Sequence, residues 1–239
     1  MKRRCVMEGA KKKLANKVIS LKEALSFIND GCVLMFGGFG GVGNPPTLIN
    51  GIYEKGVKDL TLIGNDAGFP EIGIGKVVSN QRAKKLITTH IGSNPIAGKL
   101  MVEGKMEVEF CPQGILAERI RAGGAGLGGI LSDIGIGSMI DKGKQKVTVG
   151  DKEYLIETPL QADVAIIHAK KADMYGNLVY DKSARNTNPL VATAGKITIA
   201  EAEEIVETGE LDPECIVTPG IYVDYIIQSR GVDWKWAWE

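Results

Sequence analysis

Gly37, Gly38, Gly40, Gly41 and Gly43 crowd one stretch, GGFGGVGNPP at residues 37–46, with Phe39 and Val42 set among them. Asn65, His90 and Gln113 come later, each just past an apolar run. Glycine has no Cβ, so a ligand can approach the backbone closely and φ can turn positive. The N–H groups of such a turn, backed by a helix N-terminus, make a seat for an anion or a developing oxyanion. The amides of Asn65 and Gln113 suit the same task, because they hold a carboxylate or carbonyl oxygen without adding a titrating charge. A tight turn packed under its own helix is the plainer alternative for the glycines.

The elements that position these residues alternate in type. Ser20-Leu21-Lys22-Glu23 is a capping box, and Leu21, Ala24, Leu25 and Ile28 recur at helical spacing. CVLMF at 32–36 is a continuous apolar run, the pattern of a strand buried on both faces. Asn44 reads as the N-cap of the next helix, with Pro45 at its first position and an end near Gly56. Strands DLTLIG, KKLITTH and MEVEFCP come next, spaced by about 25 residues, and GILAERIRAG is helical. This alternation predicts an α/β fold, an open and mostly parallel sheet with helices on both faces. Asn65, His90 and Gln113 then fall with the glycine loop at the carboxyl ends of successive strands, the rim where such sheets bind ligands.

Past residue 126 the texture changes. GLGGILSDIGIGSMI reads as a loop and QKVTVGDKEYLIE as a small hairpin insertion around Gly150-Asp151. ADVAIIHA, KITIAEAEEIV and the short CIVTPG read as further strands of the sheet. No boundary or linker divides the chain, so 16–239 is expected to be a single domain behind a flexible basic tail, 1–15.

Composition narrows the functions available. Lys+Arg and Asp+Glu number 29 each among 239 residues, so no net field draws nucleic acid or an anionic membrane. Cys5, Cys32, Cys111 and Cys215 form no C-x-x-C pair, and no metal site is expected. The N-terminus lacks the apolar segment of a signal peptide, which points to the cytoplasm. Trp234, Trp236 and Trp238 alternate, as in an extended segment burying indoles against the domain or a partner.

Two readings of the loop compete. Gly38-Phe39-Gly40-Gly41-Val42-Gly43 fits the dinucleotide pattern G-x-G-x-x-G, with Asp66 about 23 residues on, which would make the chain an NAD-dependent oxidoreductase. Asn44-Pro45-Pro46 sits awkwardly there, where the pattern wants a running helix. A longer stretch favours another family. Asp30-Gly31, the apolar run, Gly37-Gly38-Phe39 and Gly43-Asn44-Pro45 together resemble the signature of the α (A) subunit of family I, or 3-oxoacid-type, CoA-transferases. LTLIGNDAGFPEIGIG, ITTHIGSNP, VEFCPQGILAERIRAGGAGLGG, SARNTNPL and ELDPECIVTPG resemble blocks of that subunit in order, over about 16–228. The likeness is to subunits acting on acetate, acetoacetate and butyrate.

The resemblance implies a CoA-transferase/NagB-like, Rossmann-like fold and ping-pong transfer of CoA through a glutamyl thioester. It places the nucleophilic glutamate in a β subunit, in a Ser-Glu-Asn-Gly block that this chain lacks, within an α2β2 or larger assembly. CoA would be a substrate, with no cofactor. Gly37 to Gly43 would contact CoA or shape the site, Asn65 would line it, and Gln113 would lie beside the acyl group. Asp66 departs from the paired asparagines of the mitochondrial-type enzymes, which bears on carboxylate preference. A metabolite-sensing module on the same fold is a further alternative. Of the remaining candidates, Glu103, Glu118 and Glu157 read as solvated surface. His90 and His168 read as structural histidines, with catalysis by His90 the lesser alternative. Arg119 and Arg121 read as surface or interface ion pairs ahead of CoA phosphate ligands, and Asn186 and Asn188 as holding a turn ahead of a substrate.

Overall fold

The structure, a computed structural model, describes residues 16–235. The basic tail at 1–15, with Cys5, and the tryptophans at 236 and 238 lie outside the described residues. Ser20 begins helix α1 (Leu21–Ser26), its hydroxyl accepting the N–H of Glu23. Four strand–helix units come next: β1 (Val33–Phe36) and α2 (Pro46–Lys55), β2 (Leu60–Ile63) and α3 (Gly75–Ser79), β3 (Ala83–Thr88) and α4 (Pro95–Val102), β4 (Glu107–Phe110) and α5 (Gln113–Gly124). Gly56 ends α2 at φ +75°, where a side chain would be strained.

The insertion is larger than the expected hairpin. β6 (Lys146–Val149) and β7 (Lys152–Glu157) pair antiparallel, but β5 (Ile130–Ser132), within the stretch read as loop, adds a third strand. Its short apolar run is outnumbered by flanking glycines, which hid it. The chain then returns through β8 (Ala162–Asp173), β9 (Leu178–Val179), α6 (Asn188–Ala194), β10 (Gly195–Val206) and β11 (Tyr225–Gln228). CIVTPG is not a strand. Its start closes a 3-10 turn, Pro213–Cys215, and its Thr218 makes one bridge to Leu178. Prolines 213 and 219 leave too few free N–H groups there for a ladder.

The large sheet runs β11-β10-β8-β1-β2-β3-β4, every pair on that path parallel, with β9 antiparallel beside β8. Its two faces are both covered, and the strands sort their residues by parity. Leu34, Phe36, Leu62, Leu86, Val164 and Ile166 enter the core under α1 to α4. Met35, Ile63, Ile87, Ala165 and Ile167 enter the opposite core under α5 and α6. This two-sided burial is why those strands read as unbroken apolar runs.

β1 sits in the middle. The chain winds from it through β2 and β3 to β4, then crosses back to lay β8 on its other side. The carboxyl ends of β1 and β8 therefore form the crevice where winding reverses, and the glycine loop rises from it.

Candidate functional site at the reversal of the sheet

The loop leaves β1 at Gly37, whose N–H continues the ladder to the carbonyl of Ile166 on β8. Phe39 and Val42 then exchange both backbone hydrogen bonds, at 2.9 and 3.0 Å, across Gly40-Gly41. Both turn glycines have positive φ, +57° and +93°, the geometry of a tight hairpin turn that glycine adopts freely. The turn holds Phe39 out, 52% exposed, at the tip. A twin stands beside it. Phe69 and Ile72 bridge across Pro70-Glu71, and Phe69 is the nearest group to the open side of Gly40.

The other three glycines make room for amides. A Cβ at Gly37 would strike Asn188, one at Gly38 would strike Asn44, and one at Gly43 would strike the carbonyl of Ala184. Asn186 accepts the N–H of Gly38 and donates to the carbonyl of Val42. Asn188 donates to the carbonyls of Gly43 and Ala184 and accepts the N–H of His168. Asn186 and Asn188 thus hold a turn, as expected, and the turn is the glycine loop itself. Asn44 is not the helix cap. Pro45 holds that place and Pro46 is first in α2, one residue later than expected. The buried Asn44 amide instead donates to the carbonyl of Gly37 at 2.6 Å and accepts the N–H of Ile74.

Asn65, Asp66 and Gln113 meet the loop in one chain of hydrogen bonds. Asp66, 6% exposed, accepts the N–H of Gly40 on Oδ2 and that of Gly68 on Oδ1, each at 2.8 Å. Asn65 donates Nδ2 to Asp66 at 2.9 Å and accepts from Gln113 Nε2 at 3.0 Å. The relay runs from buried groups to Gln113, which is exposed at the first turn of α5. Within the loop, the N–H groups of residues 37–40 and 42 are engaged inside the chain. Those of Gly41 and Gly43 donate to no group among the described residues.

The structure speaks against the dinucleotide reading. A pyrophosphate would need the N-terminal N–H groups of α2. Those of Thr47 and Leu48 are bonded instead to the two oxygens of Glu201, a fully buried carboxylate on β10. Asp66, the candidate ribose ligand, has both oxygens engaged by the loop and its neighbours.

The remaining candidates fall outside the relay. The carbonyl of His90 accepts the N–H of Ala67, and its ring lies against Gly92. His168 faces Glu203 at 3.7 Å, and burial pulls its pKa below the usual histidine value against the raising pull of Glu201 and Glu203. Glu118 pairs with Arg121 on the surface. Glu103, exposed as expected, pairs with Lys105 at 2.8 Å, which lowers its pKa. Two readings need correcting. Glu157 is 1% exposed, paired with Lys144 at 2.6 Å, because its strand lies against α5 rather than in solvent. Arg119 makes an ion pair, as expected, with Glu109 at 2.9 Å, but it is buried rather than on the surface, and it also donates to the carbonyl of Thr158 at 2.7 Å. Among the described residues no group of three or more His, Cys, Asp or Glu side chains could hold a metal ion, and no helix is long and apolar enough to cross a membrane.

Fold and rim together define an open α/β protein with a rim of amides and backbone donors where its sheet reverses. Residues 18–229 match the family described as Coenzyme A transferase, and the chain belongs to that family. It is similar to a probable coenzyme A transferase subunit alpha of Bacillus subtilis, 62% identical over 93% of this chain and 98% of that one. The acetate CoA-transferase subunit alpha of Escherichia coli is 49% identical over 91% and 99%, and the acetoacetyl-CoA:acetate/butyrate CoA transferase alpha subunit of Clostridium acetobutylicum 46% over 90% and 98%. Among solved structures, an acyl-CoA transferase from Escherichia coli O157:H7 superposes with a TM-score of 0.81 at 25% identity, over 90% of this chain. This chain spans 47% of that longer one.

Proposed function

We propose that this chain is the α half of a two-chain CoA-transferase, moving CoA between a short-chain acyl-CoA or acetoacetyl-CoA and a carboxylate such as acetate, butyrate or acetoacetate. The observation that carries the reading is the relay at the rim. It sets the backbone N–H groups of Gly41 and Gly43, suited to an acyl or carboxylate oxygen, beside a neutral amide at Gln113, and its one acid is already engaged by backbone N–H groups. The nucleophile is a glutamate of a β subunit, in a Ser-Glu-Asn-Gly block, within an α2β2 or larger cytoplasmic assembly. Its carboxylate attacks the acyl-CoA and releases the CoA thiolate, leaving a mixed anhydride. The thiolate then attacks the glutamyl carbonyl and expels the acyl group as a carboxylate. The incoming carboxylate runs both steps backwards. Relatives named as alpha subunits support the division of labour. So does the solved acyl-CoA transferase, of which this chain matches about half.

The test is a transfer assay with acetoacetyl-CoA plus acetate or butyrate, run on this chain alone and on the chain co-expressed with the β-type chain of a neighbouring gene. Transfer by the pair only is the expected result. Transfer by this chain alone overturns the reading and directs attention to Glu71, exposed in the turn beside Gly40. Ligand binding without turnover in either form would favour a sensing module.

A further inference from the structure

Asp66 is the acid of the relay, each of its oxygens already taking a backbone N–H, and its chemistry decides how the rest must point. A carboxylate only accepts hydrogen bonds. Asn65 must therefore turn its NH2 toward Asp66, which leaves its carbonyl oxygen toward Gln113. Gln113 must then turn its own NH2 inward, which leaves Oε1 as the free end at the rim. Asp66 also fixes the turn on the other side, through the N–H of Gly40. Its carboxylate thus touches both the tip of the loop and the amide pair.

We infer that Asp66 is a positioning residue: its carboxylate sets the polarity of the Asn65–Gln113 pair, so that Gln113 presents a carbonyl acceptor to an N–H or O–H donor of the substrate. The inference rests on the CoA-transferase reading of the rim. An asparagine at this position no longer fixes that polarity, because its amide can present either end to Gly40 and Asn65. Gly40 and Gly68 deliver their N–H groups to different oxygens of Asp66. An amide has only one oxygen, so one of those donors must lose its acceptor. If the NH2 turns toward Gly40, Asn65 flips to accept from it, Gln113 flips in turn, and an NH2 faces the substrate instead.

The experiment uses the co-expressed pair carrying Asp66→Asn, Gln113→Leu, or both. Gln113 is exposed, so its variant is expected to fold. Each single variant should lower kcat about tenfold or more, the worth of one charge-assisted hydrogen bond, with KM for acyl-CoA within about twofold. The double variant should be no slower than Gln113→Leu alone, because both changes act on one pair. Effects that multiply would overturn the inference and leave Asp66 as a brace of the fold. A second readout does not need turnover. The side-chain amide resonances of Gln113 in the pair should move on Asp66→Asn; unmoved resonances overturn the inference whatever the rates. If the wild-type pair transfers no CoA, the functional reading fails, and the resonances still decide the role of Asp66.

Discussion

Glu201 on β10 closes the N-terminus of α2 from 154 residues away, its Oε1 accepting the N–H of Thr47 at 3.0 Å. Its Oε2 takes the N–H of Leu48, and Ser229 donates its hydroxyl to Oε1. The positive end of the helix and these donors replace the water that a buried carboxylate would otherwise need.

Glu201→Leu should therefore destabilise the chain by about 2–5 kcal/mol, since it orphans two buried N–H groups and a hydroxyl. Glu201→Gln keeps one acceptor and should cost about 1–2 kcal/mol. Urea unfolding of the two variants checks the order. Equal midpoints for wild type and Glu201→Leu would show that the cap carries no stability.

Arg119 joins the three-stranded insertion to the large sheet, reaching Glu109 on β4 and Thr158 just past β7. Burial works against the Glu109 carboxylate, but Arg119 and Lys85 outweigh it and hold its pKa below the usual value. Arg119→Met should cost about 1–3 kcal/mol, because it removes the charged hydrogen bond to Glu109 and orphans the Thr158 carbonyl while Lys85 and Lys144 still pair with Glu109 and Glu157. Limited proteolysis should cut first within 126–157. Resistance equal to wild type would argue that the other contacts hold the insertion.

Gly40 separates strain from access. At φ +57° a valine is strained whatever binds there, whereas asparagine tolerates this region. Gly40→Val should lower both the melting temperature and transfer. Gly40→Asn should keep the melting temperature within about 2 °C yet lower transfer at least tenfold, if substrate passes the open side of the turn. Full transfer by Gly40→Asn would reduce the turn to packing.

His168 gives a pH dependence with a definite sign. Burial, the largest influence, lowers its folded pKa below the reference 6.5. The unfolded chain thus takes up the proton first, so stability is complete above pH 6.5 and declines as pH falls from there toward the folded pKa. His168→Gln should flatten the melting temperature between about pH 7 and 5. An unchanged slope would assign that decline to other groups.

The strands were legible because two-sided burial writes itself into sequence, as in Val33–Phe36 and Leu60–Ile63. Part of the rim was legible from the residues just past each strand: Asn65 and Gln113 meet, and Asp66 ties them to Gly40. Distant partners were not. Asn44 looks like a local cap, and only Ile74, thirty residues on, shows that it braces the loop. Glu201 carries no local mark, because a charge in the run Glu201 to Glu204 reads as a solvated edge until α2 is laid against it. Glu157 was misread for the same reason, since Lys144 and Arg119 reach it only once β7 meets α5. Three of the loop's five glycines likewise owe their identity to amides at 44, 186 and 188 as much as to any ligand.

Because the glycine loop is braced by Asn186 and Asn188, its first-made part is finished by its late part. A ribosome will have emitted residues 37–43 long before the chain that steadies them exists. A nascent or truncated chain ending before residue 186 has β1 and its loop but neither amide to hold the crevice. The reversal of the sheet thus makes site competence a late event in synthesis, and a C-terminal truncation that spares every rim residue up to Gln113 would still lose the rim.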